Sequence, residues 1–320
     1  MHSKLAIIAV GGNSLISDQK KITVEEQYKA IQKTVRHIAD IIEDGYQVCV
    51  THGNGPQVGF IMRRSEIARK VAAMHPVPLA SCVADTQGAL GWQIQQVLSN
   101  ELSKRGITGN RGLAVSVVTQ VLVDKDDSAF GAPDKFVGEF FKEEDLPTLR
   151  MNYPHWVIHQ DSGRGWRRVV PSPKPMKIIE LSAIRTLLAN DFNVVAVGGG
   201  GVPVLRKKNG DLGGIAAVID KDLATCLLAV ELGAPLLIIS TAVDKVCLNF
   251  GKPDQQNLDC VKAAAMREFY QAGHFPPGSM GPKIKSALEF LEQGGKEVII
   301  TSPENLKKAL QVNHGTHIVP

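Results

Sequence analysis

Four glycine-rich points punctuate this chain: Gly11-Gly12-Asn13, Gly53-Asn54-Gly55, Gly198 to Gly201, and the turn around Gly278-Ser279-Met280-Gly281. The reading places each of them after a strand. There glycine permits positive φ and lets backbone N–H groups converge on an anion, best where a helix N-terminus follows. One such turn is ordinary chain geometry, but four at strand ends favour a phosphate or nucleotide crevice at the carboxyl edge of an open sheet. Two lysines stand near helix starts, Lys221 in Asp220-Lys221-Asp222 and Lys283 in GSMGPK. Phosphoryl transfer asks little covalent chemistry of a protein, so cations set around the migrating group carry most of the stabilisation. The plain alternative for Lys221 is a solvated first turn capped by aspartate. The flanking carboxylates make a fixed ammonium the better reading.

Other chemistries lack their signatures. There is no GxxxxGK[ST] loop, no GxGxxG after a strand, no HRD and DFG pair, no GxSxG elbow and no HExxH. His52 beside Gly53 is read as orienting that loop, and His274 as structural. Five cysteines, an odd number without CxxC spacing, suit reduced thiols in a cytoplasmic protein, mostly as packing residues. A formal charge of +4 without a polybasic tract gives nucleic acid little to bind. The apolar run Leu227 to Val243 is interrupted by Glu231, Gly233 and Pro235, so it divides into a helix end and a strand, with no membrane span.

These residues need a scaffold, and the pattern predicts an α/β one. Strand-like runs at Leu5 to Val10, Gln47 to Thr51, Ala114 to Val123, Val194 to Val197, Ala216 to Ile219, Leu236 to Ser240 and Glu297 to Thr301 alternate with helical patterns. The helical patterns lie at Val24 to Glu43, after Gly59, at Ile179 to Ala189 and at Lys221 to Glu231. A mainly parallel open sheet covered on both faces follows, a three-layer αβα sandwich. From about Asp124 to Arg168 the rhythm breaks into glycine, proline and aromatics (Phe130, Phe136, Phe140, Phe141, Trp156, Trp166), read as an inserted lid subdomain with its own small core. KKNGDLGG ending at Gly214 reads as a hairpin turn.

AVGGN at 9–13, THGNGPQVG at 51–59, DSGRGWRRVVPSPKP at 161–175, GGGGVPV at 198–204, AVIDKDLA at 217–224 and GSMGPK at 278–283 together resemble the carbamate kinases, along nearly the whole length. The resemblance implies a single amino-acid kinase domain over 1–320. A carbamoyl phosphate half at 1–200 would carry the lid insertion, and a nucleotide half would follow at 201–320. It implies ATP + carbamate ⇌ ADP + carbamoyl phosphate, run toward ATP in arginine or purine and allantoin catabolism. Mg²⁺ would be held mainly by the nucleotide phosphates, with no protein metal ligands, in a cytoplasmic homodimer.

By motif, Gly11, Gly12, Asn13, Gly53, Asn54 and Gly55 would cradle carbamoyl phosphate. Lys221 and Lys283 would flank the transferring phosphoryl group, with Asp222 placing both. Lys135 in PDKFVG would reach the carbamate end from the lid, and Arg164 would either reach the same region or hold the lid's fold. Gly199, Gly200, Thr241, Ala242, Val243, Asp244, Val246 and Met280 would join the two phosphoryl lysines in the nucleotide site. Two other readings stay open: a kinase of this fold acting on another acyl or phosphonate acid, and a nucleotide-binding sensor without turnover.

Overall fold

The computed structural model describes residues 4–11, 23–161, 165–276, 278–311 and 313–320. Gly12, Asn13 and Arg164 therefore lie outside the described residues. The first third contains β1 (Leu5–Val10), α1 (Val24–Glu43), β2 (Gln47–His52), α2 (Gln57–Ala72), α3 (Leu79–Lys104), β3 (Ala114–Ser116) and β4 (Gln120–Val123). Next come β5 (Lys135–Phe141), α4 (Leu146–Asn152), β6 (Val157–Gln160), β7 (Trp166–Val170), β8 (Pro175–Ile178), α5 (Leu181–Ala189), β9 (Asn193–Val195), β10 (Val202–Arg206) and β11 (Leu212–Gly214). The remainder is α6 (Lys221–Leu232), β12 (Leu236–Ser240), β13 (Cys247–Leu248), β14 (Gln256–Asn257), β15 (Cys260–Lys262), α7 (Ala263–Gln271), α8 (Met280–Glu292), β16 (Glu297–Thr301) and β17 (Thr316–Val319).

Every residue of β1 and β2 is buried, as continuous apolar strands require when both sheet faces are covered. They form the middle of an eight-stranded sheet of order β15-β17-β16-β12-β1-β2-β9-β3, in which only the β16–β17 pair is antiparallel. Side chains alternate across it. Ala6, Ile8 and Val10 face Ile31, Val35, Ile38 and Ile42 of α1 and Leu90, Ile94 and Leu98 of α3. Ile7, Ala9, Leu237 and Ile239 face Ile184 and Leu188 of α5, Leu228 of α6, and Ile284 and Phe290 of α8. The result is the expected three-layer αβα sandwich. α1 begins where Thr23 accepts a hydrogen bond from the Glu26 amide at 3.2 Å, with Glu25 and Glu26 in the first turn complementing its dipole.

Register brings the strand ends level. Val10 pairs with His52 on one side and Ser240 on the other, and Ser240 pairs with Thr301. The turns after β1, β2, β12 and β16 therefore open on one carboxyl edge, where ligands sit in open parallel sheets.

Three local expectations are corrected. The run 114–123 is two strands in different sheets: β3 ends the main sheet, while β4 belongs to a second sheet of order β11-β10-β4-β8. Val117 to Thr119 turn between them, where the Thr119 amide and carbonyl bond the Gln87 side chain of α3. Residues 216–219 form no strand, although Ala217, Val218 and Ile219 are buried. The Val218 amide donates to the Pro171 carbonyl and that of Ala217 to Ile215, so no ladder forms. The GSMG turn follows α7 instead of a strand and leads into α8.

Within the inserted segment, β5, β7 and β6 make a three-stranded antiparallel sheet. It does not build a self-contained core. Its buried Val137 and Val170 pack with Val58 of α2 and Leu79, Cys82 and Val83 of α3. Its aromatics are interleaved with arginines: Arg168 lies 4.8 Å from the Trp156 ring and Arg167 4.8 Å from that of Phe140. KKNGDLGG turns between β10 and β11, which pair antiparallel.

Candidate active site

The site is built on the N-terminus of α6. Asp220 caps it, its Oδ1 accepting from the amides of Asp222 at 2.9 Å and Leu223 at 3.3 Å. Helical geometry then sets Asp222 in the first turn, where the helix dipole favours a carboxylate. Lys283, one turn into α8, donates to Asp222 Oδ2 at 2.7 Å. Lys221 Nζ lies 3.0 Å from Asp222 Oδ1 as an ion pair, so this buried ammonium is held by one carboxylate and has donors to spare. From β5, Lys135 donates to Asp220 Oδ2 at 2.7 Å. Lys135, Lys221 and Lys283 thus converge on two adjacent carboxylates from three elements distant in sequence.

The electrostatics follow from burial. Burial alone would raise the Asp222 carboxyl, yet Lys221 and Lys283 override it and hold Asp222 below the usual carboxylate range. Burial pulls the Lys221 ammonium down from its ordinary value, Asp222 opposing and Lys283 reinforcing the fall. A cation left loosened in this way is one that an incoming phosphate would stabilise again. Asp220 is also held low: burial and Asp222 push its carboxyl up, and Lys135 with the helix amides brings it down.

Glycine explains how the β2 turn reaches α6. A Cβ on Gly198 would sit 2.3 Å from His52 Nε2, one on Gly199 2.6 Å from Asn54 Nδ2, and one on Gly200 2.4 Å from the Ile219 carbonyl. The three glycines are buried, with φ of +65° at Gly199 and +89° at Gly200, so the run is a flat spacer locking the Gly53-Asn54-Gly55 turn beside Ile219 and Asp220. His52 orients that turn, its Nδ1 donating to the Gly53 carbonyl at 2.9 Å. Burial and the nearby Lys221 charge lower His52 to about 4, so its imidazole is neutral at ordinary pH. Asn54 Nδ2 is buried and makes no hydrogen bond. Under β2 and α6, the Thr51 and Thr225 hydroxyls meet at 2.7 Å, and Thr225 Oγ1 donates to the Lys221 carbonyl.

These features place a buried cation pair on one carboxylate at the carboxyl edge of an open α/β sheet, and the pattern of the amino acid kinase family matches residues 4–302. The chain belongs to the amino acid kinase family. It is 50% identical over 316 residues, 99% of each chain, to the carbamate kinase-like protein YahI of Escherichia coli. It is 44% identical, over 99% of each chain, to the carbamate kinase of Thermococcus kodakarensis. Its fold matches the carbamate kinase of Giardia lamblia bound to AMP-PNP with a TM-score of 0.90 and 40% identity, covering 99% of this chain and 98% of that one.

Among the remaining predicted residues of this family member, Gly11 directly follows β1 and Gly55 is exposed in the β2 turn. Thr241 to Asp244 form the turn after β12, and the Thr241 amide donates to the Thr301 carbonyl at 2.8 Å. Met280 opens α8, half-buried against the core. Val246 is fully buried, its amide donating to Thr316 Oγ1 at 2.8 Å, so it faces core and not crevice here. Lys245 pairs with Asp259.

Sequence reasoning left Asp220 out of the site, although the Asp-Lys-Asp triplet was the signal for it. It also missed Ser240, Thr301 and Ser302, whose buried hydroxyls make no hydrogen bond at the ends of β12 and β16. A hydroxyl closing an apolar strand, as in LLIIS and EVIIT, is the pattern that finds them. Among the described residues, no three His, Cys, Asp or Glu side chains converge as a metal site, and no helix is long and apolar enough to cross a membrane.

Proposed function

We propose that this protein catalyses ATP + carbamate ⇌ ADP + carbamoyl phosphate. The observation that carries the reading is the buried Lys221–Asp222–Lys283 cluster, in which one carboxylate holds both ammonium groups. Asp222, kept ionised, fixes both ammonium groups, which bracket the oxygens of the phosphoryl group as charge builds in transfer. Carbamoyl phosphate lies at the ends of β1 and β2, where Gly11, Gly53, Asn54 and Gly55 offer amides and the Asn54 side chain a free donor. Lys135 meets the carbamate end from the inserted segment, which acts as a lid. ATP or ADP lies over the turn of Thr241, Ala242, Val243 and Asp244, with Met280 near the base, while Gly199 and Gly200 are packed against protein. The relatives named carbamate kinase support this substrate.

Both aspartates at the site are engaged by lysines, which fits Mg²⁺ carried mainly on the nucleotide phosphates instead of in a protein cage. When bound, the ion neutralises phosphate charge. A homodimer in the cytoplasm suits the reading, since β3 ends the main sheet as an edge strand beside exposed Trp92, Leu113 and Val118. Sedimentation velocity at micromolar concentration should give twice the 34.6 kDa chain mass. A monomer would contradict the dimer. Work in the ATP-forming direction, in arginine or purine and allantoin breakdown, is the role we assign.

The test is a coupled assay offering ADP and Mg²⁺ with carbamoyl phosphate and, separately, with acetyl phosphate. Carbamoyl phosphate should be preferred in kcat/KM by at least about tenfold, because an acceptor matched to the carbamoyl NH2 is left unpaired by a methyl group. Preference for acetyl phosphate would replace the substrate while leaving the fold's chemistry in place.

A further inference from the structure

We propose that Asp220 is a positioning residue for the lid, its two carboxylate oxygens doing separate work: one caps α6 and the other latches Lys135 over the site. The assignment rests on the reading of Lys135 as the residue that meets the carbamate end of the substrate.

Lys135 is the first residue of β5, and its partner Asp220 lies 85 positions away. A lysine side chain has a long flexible stem, and without a fixed partner it would sample solvent at an entropic cost to any ligand that must order it. Asp220 removes that freedom. Its Oδ1 is committed to the amides of Asp222 and Leu223, which fixes the carboxylate's orientation and aims Oδ2 at Lys135 Nζ. The carboxylate is mostly buried and ionised, so the hydrogen bond is charge-assisted.

Elsewhere the insertion rests on α2 through the close approach of Gly59 and Gly138 and through the exposed Arg63–Glu139 pair at 2.8 Å. The return strand β7 leads to Pro171, whose carbonyl accepts from Val218. Lys135 pairs with Val170, so the Lys135–Asp220 bond joins this same end of the small sheet to the helix that carries Lys221. Lid position and phosphoryl-lysine position are thereby set from one helix N-terminus. Three lysines against two aspartates leave that terminus one positive charge in excess, which suits an anionic substrate.

Asp220→Asn separates the two duties. Its amide oxygen still caps α6, while the charge that holds Lys135 is gone. The melting temperature should stay within a few degrees of wild type. KM for carbamoyl phosphate should rise about tenfold with KM for ADP within about twofold, as in Lys135→Ala, and the double variant should be no worse than Lys135→Ala alone. Multiplying effects, or an unchanged KM for carbamoyl phosphate, would overturn the latch. Hydrogen exchange of the substrate-free protein gives a readout independent of the substrate: amides of 135–141 should exchange at least about tenfold faster in both single variants. Unchanged exchange would overturn the latch even in an active enzyme. Faster exchange in a protein that ignores carbamoyl phosphate would keep the latch and discard the substrate.

Discussion

Individual side chains at this site are held by charge more than by packing, and the consequences are specific to each. Lys221 is a buried ammonium on Asp222, which Lys283 also holds, so Lys221→Ala removes phosphoryl stabilisation while leaving Asp222 one lysine partner. Turnover should fall about 10³-fold in a steady-state assay, with circular dichroism unchanged. A residual rate within a few-fold of wild type would make Lys221 a mere helix-end charge.

His52 predicts a pH effect of definite sign. Its folded value is lowered to about 4, so between pH 6.5 and 4 the unfolded chain takes up a proton that the native protein refuses. Stability is therefore full above pH 6.5 and falls on acidification, by about 3 kcal/mol at pH 4 from this group alone. Urea titrations across that range should show a flatter profile for His52→Gln. Parallel profiles would show that His52 charges freely in the native state.

At the scale of elements, the glycine run at 198–201 acts as a spacer between the β2 turn and the start of α6. Gly200→Ala forces a side chain to φ +89° and a Cβ to 2.4 Å from the Ile219 carbonyl. We expect a loss on the order of 2–4 kcal/mol in urea unfolding, together with reduced turnover, because relief must move Asp220 and Lys221. A neutral substitution would mean the loop floats free of α6. Long periodic or fully apolar elements were legible in the sequence: β1, α1, β12 and β16 lie where hydrophobic pattern alone places them. Elements settled by tertiary contact were not. Residues 217–219 are apolar because they are buried, and nothing in their spacing says that Pro171 takes the one hydrogen bond available to Val218. Residues 114–123 read as one strand because the Gln87 side chain that bonds Thr119 between β3 and β4 comes from a helix residue 32 positions earlier.

For the molecule as a whole, a doubly covered, mainly parallel sheet concentrates its irregular turns on one edge, and the chain's chemistry collects there from segments as far apart as Thr51 and Thr225, 174 positions. Residue types and the resemblance to carbamate kinases pointed to Lys135, Lys221, Asp222 and Lys283, and the structure gathers these four with Asp220. The sequence could not show which carboxylate each lysine takes, because side-chain pairing is decided by the packing of β5 and α8 against α6. Nor could it separate glycines that face a ligand from Gly199 and Gly200, which face protein.

The central claim is that this edge transfers a phosphoryl group between carbamoyl phosphate and ADP. The most direct measurement is ATP formation from those two compounds by the purified protein, with Mg²⁺ and again with excess EDTA. We predict turnover of about 1–100 s⁻¹ with the metal, typical of kinases, and loss of nearly all of it with the chelator. A folded, ADP-binding protein that forms no ATP above the uncatalysed background would contradict the account.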